Sequence, residues 1–142
     1  MRLSTKGRYG LRAVVDLAIH SRDESVTLGS IAQRQDLSEG YLEQLIAKLK
    51  RAGIVASIRG SGGGYRLAKA PEEITVGDIL RALEGELCVV ECSDTKGCDK
   101  YDTCITKYVW KRINDSINKV VDTMTLEEVI TNSCPKDSKT NI

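Results

Sequence analysis

The apolar positions in the first half of the chain follow two rhythms. From Thr5 to about His20, Leu11, Val14, Val15, Ala18 and Ile19 recur at helical spacing and predict an amphipathic helix. Polar residues at 21–25 break it. Thr27 stands where it can cap a short helix, LGSIAQRQ, that turns Leu28, Ile31 and Ala32 inward. Asp36 and Leu37 make a tight turn, and Ser38 caps a third helix, EGYLEQLIAKLKRA. Its buried stripe is Leu42, Leu45, Ile46 and Leu49, and Gly53 ends it. The rhythm then becomes alternation: IVASIR and YRLAK flank GSGGG and read as a β-hairpin. Three helices followed by a hairpin predict a winged helix-turn-helix.

The second half continues helical. Thr75 and Asp78 have capping-box spacing before a helix with Val76, Ile79, Leu80 and Leu83 on one side. From about Asp102 to Met124, Ile105, Val109, Ile113, Ile117, Val120 and Met124 form an apolar seam too long for one small domain to cover. Dimerisation through this helix is the natural outlet, with packing back on the first helix as the alternative. Thr125 caps a last short helix, and the tail from Asn132 is polar. The expected fold class is mainly α with a small β-hairpin wing, a winged helix-turn-helix plus a long dimerisation helix. The expected organisation is a DNA-binding domain over 1–84, a cysteine-bearing loop over 85–103, and the long helix, last helix and tail over 104–142.

Charge sharpens this picture. Residues 1–70 carry 12 Lys and Arg against 6 Asp and Glu, whereas residues 71–142 carry 9 against 14. A basic front half calls for a polyanionic partner, and helix-turn-helix geometry makes that partner duplex DNA. On the third helix, Ser38, Glu39, Tyr41, Glu43, Gln44, Lys48 and Arg51 point away from the apolar stripe. Gln44 suits adenine N6 and N7, and Ser38 or Tyr41 a phosphate or base edge. Lys6, Arg8 and Arg12 on the first helix join Lys48 and Arg51 as phosphate contacts. A carboxylate at Glu43 tolerates little besides the cytosine amino group, so it can act as a sequence filter. Arg59 and Arg66 flank the glycine loop that begins at Gly60, and an arginine at a wing tip suits a narrow minor groove. The loop lacks the Lys-Ser/Thr of a phosphate-binding loop and leads into a strand, which excludes a nucleotide cradle.

MRLSTKGRYG has no apolar core behind its basic residues, and no apolar run approaches the about 18 residues of a membrane span. A cytoplasmic location follows as the expectation, with no membrane partner. Five cysteines there favour metal or redox chemistry over disulfides. Three of them, Cys92, Cys98 and Cys104, are spaced six residues apart in CSDTKGCDKYDTC. Thiolates on a polar loop can ligate an iron–sulfur cluster. Zinc, which prefers closer pairs, and a thiol switch tuned by Lys96 and Lys100 are the alternatives. One histidine and no converging base and nucleophile argue against an enzyme. An electron carrier would have no need of a basic helix and wing.

STKGRYGLRAVVDLA (4–18), LSEGYLEQL (37–45), SIRGSGGGYRLAKAPEEITVGDILRALEG (57–85) and TLEEV (125–129) resemble the bacterial winged-helix regulator family that includes the iron–sulfur cluster regulator IscR and the cysteine-metabolism repressor CymR. The resemblance implies a homodimer joined by the long helix, binding partly palindromic operators, mostly as a repressor. It places Ser38, Tyr41, Glu43 and Gln44 at base-reading positions and Arg59 in the minor groove. It also puts Cys92, Cys98 and Cys104 on the ligand positions of a 2Fe-2S cluster. IscR-like members supply a fourth ligand with a histidine where this chain has Lys107, and a nitric-oxide-sensing branch uses an aspartate where this chain has Arg8. The fourth ligand is therefore open among Cys88, Glu91, Asp94, Asp99, Asp102 and Cys134. CymR-like members lack the trio and are controlled by a partner enzyme, cysteine synthase.

Overall fold

Side-chain caps mark most of the helix starts. The structure is a computed structural model and describes residues 3–90 and 103–133. Helix α1 (Thr5–His20) is capped by the Ser4 side chain, α2 (Leu28–Gln35) by Thr27 and α3 (Glu39–Arg51) by Ser38. In α2 and α3 the hydroxyl accepts the N–H three residues on, at 3.2 Å in both cases, filling one of the unpaired donors of a first turn. Between α2 and α3 the chain reverses at Asp36, whose φ of 55° places it in the left-handed region. These boundaries agree with the sequence expectation.

The wing is the antiparallel pair β1 (Val55–Ile58) and β2 (Gly64–Leu67), in register Val55↔Leu67 to Ile58↔Gly64. Gly60 and Gly62 carry the positive φ values of the connecting loop, 97° and 78°. Tyr65 also exchanges both backbone hydrogen bonds with Val26, at 2.7 and 2.8 Å, which pins the hairpin to the turn before α2.

A turn of 3-10 helix (Pro71–Glu73) leads to α4 (Val76–Glu84), where Thr75 and Asp78 form the expected capping box. Helix α5 (Lys107–Thr123) starts about five residues later than the apolar pattern implied. No side chain caps it; the Thr106 hydroxyl instead lies 3.4 Å from Cys104 Sγ and accepts from Trp110 Nε1 at 3.2 Å. Local bonds of this kind hold residues 103–106 in a turn. Helix α6 (Leu126–Ser133) carries the chain past Asn132, so the helix reaches into the segment read as polar tail.

One core joins the head and α6. Val14, Leu17, Ile31, Leu42, Leu45, Ile46, Leu49, Ile74, Ile79 and Leu126 are all under 2% exposed. Each such side chain contributes about 1.5–3 kcal/mol by burial. Leu126 and Ile130 of α6 enter this core, and a short backbone bridge (Val76 N–H to Met124 O, Leu126 N–H to Ile74 O) ties the starts of α4 and α6 together. Helix α5 is different: none of its residues is buried. Val109, Ile113 and Val120 stay exposed, while Val121 and Met124 pack against Val76, Leu80 and Leu87. The seam divides, with most of it left uncovered by the described residues.

Candidate nucleic-acid interface

Helix α3 offers its outer face as expected. Ser38, Glu43 and Gln44 are exposed, and Glu43 makes no ion pair among the described residues. Tyr41 is half-buried: its hydroxyl donates to Thr5 Oγ1 at 3.2 Å, and its ring meets Tyr9 edge-on with centroids 6.3 Å apart. It braces the start of α3 against the start of α1. Arg8 is exposed at 5.8 Å from the Tyr9 ring. Arg12 is committed elsewhere, donating to the Gln35 side-chain and backbone oxygens at 3.2 and 2.9 Å, and lies 5.4 Å from the same ring. Its role is to fasten α1 to the end of α2.

The fold gathers cations that are far apart in sequence. Lys6 from α1 and Lys48 and Arg51 from α3 line one open cleft of about 540 Å³, with Arg81 and Glu84 of α4 on its other wall. Arg59 and Gly60 are exposed at the wing tip. Arg66 faces a separate cleft, beside Ser21, Arg22 and Glu127, and shares no wall with Lys6 and Lys48.

Three polar clusters that the sequence reading did not single out hold this surface in place. Asp16, buried at 3% exposure, accepts from Arg34 Nη2 at 2.7 Å, Arg34 Nε at 2.9 Å and Gln35 Nε2 at 2.8 Å. The hydrogen bonds to Asp16 raise the Arg34 pKa above its ordinary value, against the opposing effect of burial. A carboxylate in the middle of AVVDLA was the available signal. Glu84 accepts from the backbone N–H of Ser4 at 2.9 Å, of Gly7 at 2.8 Å, and from the Ser4 hydroxyl. Burial pushes its pKa up, but these bonds and the Lys6 charge outweigh that and hold it below the usual carboxylate range. Arg81 clamps Asp122 of α5 at 2.6 and 3.0 Å and Asn118 at 2.5 Å; the hydrogen bond from Arg81 lowers the Asp122 pKa. Helix α4 thus touches α5 through Arg81 and α1 through Glu84.

Of the cysteine trio, Cys92 and Cys98 lie outside the described residues, as do Cys134 and the acidic candidates Glu91, Asp94, Asp99 and Asp102. Cys104 is half-buried, and its pKa is lowered, chiefly by the hydrogen bond with the Thr106 hydroxyl. Cys88 is half-buried 3.9 Å from Asn114 Nδ2. Lys107 is the first residue of α5 and Arg8 is on α1. Among the described residues no three His, Cys, Asp or Glu side chains are grouped as a metal site.

A helix-turn-helix with a glycine wing, a basic cleft and an uncovered long helix is the architecture of a dimeric DNA-binding protein. The family model described as Rrf2, iron-dependent transcriptional regulator, matches residues 3–132. The chain belongs to the Rrf2 family. Among curated Rrf2 relatives, the HTH-type transcriptional regulator IscR of Pectobacterium carotovorum subsp. carotovorum is 41% identical over 132 residues, covering 93% of this chain and 80% of that protein. Among solved structures, CymR, the global cysteine regulator of B. subtilis, superposes with a TM-score of 0.78 at 42% identity, covering 93% of this chain and 98% of CymR. IscR of T. potens gives a TM-score of 0.78 at 47% identity, covering 94% and 88%. The Rrf2 chain is a DNA-binding transcriptional regulator and not an enzyme, and regulators of this family bind DNA as dimers. No described helix is long and apolar enough to cross a membrane.

Proposed function

We propose that this regulator reads a partly palindromic operator as a cytoplasmic homodimer, joined through α5 and acting as a repressor. Residues 1–84 form the DNA-binding head, 85–103 the sensing loop, and 104–142 the long dimerisation helix with the short last helix and the tail. Ser38, Tyr41, Glu43 and Gln44 address base edges and flanking phosphates in the major groove. Lys6, Arg8 and Lys48, with Arg51, take the phosphates, and Arg59 and Gly60 enter the minor groove. The observation that carries this reading is the convergence of Lys6, Lys48 and Arg51 on one cleft beside the recognition helix. Fluorescence anisotropy with a labelled operator duplex tests it across a salt series. Lys48→Ala should weaken binding to all sequences and reduce the log–log salt slope by about 1. An unchanged slope overturns the phosphate assignment.

Cys92, Cys98 and Cys104 are the residues that would hold a 2Fe-2S cluster, and the lowered pKa and partial exposure of Cys104 fit a thiolate ligand. A bound cluster supplies one-electron redox chemistry and a charge that reports cellular iron and sulfur status. Anaerobically purified protein should be coloured and contain iron and sulfide, and Cys98→Ser should lose both. A colourless anaerobic preparation with full operator binding favours the second reading. In that reading a cluster-free repressor of sulfur metabolism answers to a partner enzyme such as cysteine synthase. The likeness to CymR supports it.

A further inference from the structure

A second cleft, of about 480 Å³, lies between the end of α1, strand β2, the 3-10 turn and α6. It shares no lining residue with the basic cleft beside α3. Its volume falls in the range of small-molecule sites, about 300–1,000 Å³. Ala18, Leu67 and Pro71 supply apolar wall. Five charged side chains surround it: Arg22, Arg66 and Lys69, with Glu72 and Glu127. Although both signs are present, none of the five makes an ion pair with a described residue. Four separate segments hold these charges around one hollow without neutralising each other. The C-terminal end of α1, at Ser21, adds a partial negative charge to the same wall.

This balance specifies a complement. Two carboxylates and a helix C-terminus favour an ammonium group, and three cations favour carboxylates. The lining carries one more positive than negative charge, so the matching ligand carries one more carboxylate than ammonium. We propose that this cleft binds a small amphoteric molecule with one ammonium and two carboxylates, an amino dicarboxylate. Such a ligand, spanning Arg66 and Glu127, ties the wing strand to α6.

Isothermal titration of the full-length protein tests the assignment. The probes are L-glutamate and the longer γ-glutamylglycine, against glutarate, which lacks the ammonium, and putrescine, which lacks the carboxylates. Either amino dicarboxylate should bind saturably and at least about tenfold more tightly than both controls, the loss expected for one charge-assisted contact. Arg22→Ala and Glu127→Gln should each weaken that binding by about tenfold while the circular dichroism spectrum and melting curve stay unchanged. Glu72→Gln serves as the second carboxylate variant should Glu127→Gln disturb α6. Absence of binding by both amino dicarboxylates, equal binding of glutarate or putrescine, or binding that survives both the arginine and the carboxylate substitution overturns the proposal.

Discussion

The Glu84 carboxylate accepts the Gly7 N–H at 2.8 Å, so the last residue of α4 caps the first turn of α1, whose own first turn has no acid. The same carboxylate takes the Ser4 N–H at 2.9 Å. A negative charge at this end also complements the helix dipole. Because Lys6 and Arg8 stand on that turn, the cap fixes where these two proposed phosphate contacts sit.

The Glu84 pKa lies below its ordinary value, so folding favours the ionised form. The stabilisation is complete above the unfolded pKa and disappears as pH falls through the lower folded one. Urea denaturation at several pH values should therefore show Glu84→Gln less stable than the parent at pH 7, by about 1 kcal/mol, the scale of a lost cap. The difference should shrink as pH drops below the usual carboxylate range. A gap independent of pH would assign the effect to packing.

Helix α4 approaches α1 over two glycines spaced three apart. A Cβ at Gly10 would overlap Leu83 Cδ1 and stand 2.9 Å from Cδ2, and one at Gly7 would stand 2.7 Å from Glu84 Oε1. Leu83 is 3% exposed, so its branched end must shift within a packed contact to admit the methyl group. Gly10→Ala should destabilise the protein by about 1–3 kcal/mol, despite the better helix propensity of alanine. Adding Leu83→Ala opens space for the methyl group, so the double variant should be more stable than the two single effects sum to. A double-mutant cycle in urea measures this.

Asp16 gives a third prediction. Its side chain is 1% exposed and is bonded to both Arg34 and Gln35, which position the end of α2 before the turn into α3. Asp16→Ala leaves the buried Gln35 amide without its acceptor and Arg34 without its counter-ion. Removal of one partner from such a cluster costs about 3–5 kcal/mol when both ends are buried; Arg34 is 34% exposed, so the lower end applies. Thermal unfolding should report the loss.

How much of this was legible follows from how local each determinant is. The limits of α2, α3 and the hairpin are set within a few residues by Thr27, Asp36, Ser38 and the glycine loop, and all can be read in order. The start of α5 cannot, because apolar periodicity has no end marker and the Thr106 hydroxyl is engaged by Cys104 and accepts from Trp110 Nε1 instead of capping the helix. The orientation of the α3 face follows from helical spacing. The assignment of Arg66 to a different cleft does not, since it depends on α6 returning beside β2. Contacts between Glu84 and Ser4, 80 residues apart, belong wholly to tertiary structure.

Ile113 lies mid-way along α5 and is 40% exposed, with Val109 and Val120 of the same seam at 45% and 55%. On the proposed reading this apolar strip is the interface between copies, since the family binds DNA as dimers and an exposed strip calls for cover. Multi-angle light scattering should give twice the 15.6 kDa protomer mass. Ile113→Asp places a charge in the seam and should raise the dimer dissociation constant by about 30-fold or more, the scale of a hot-spot residue. A monomeric parent protein would remove α5 from the dimer.

Glu43 is exposed on the recognition helix, without an ion pair among the described residues to account for its presence. In the major groove a carboxylate meets phosphate repulsion and base acceptors, and only the cytosine amino group offers it a bond. Placed in the groove as proposed, it would penalise most sequences by more than it favours any. Glu43→Ala should bind a wider set of duplexes than the parent, with discrimination at one base position reduced by about 1–3 kcal/mol. Selection from a randomised duplex pool, sequenced for both proteins at one salt concentration, measures this directly. Identical selected sets would leave Glu43 outside the recognition mechanism, and a narrower set for the alanine variant would make it an attractive reader of cytosine in place of a filter.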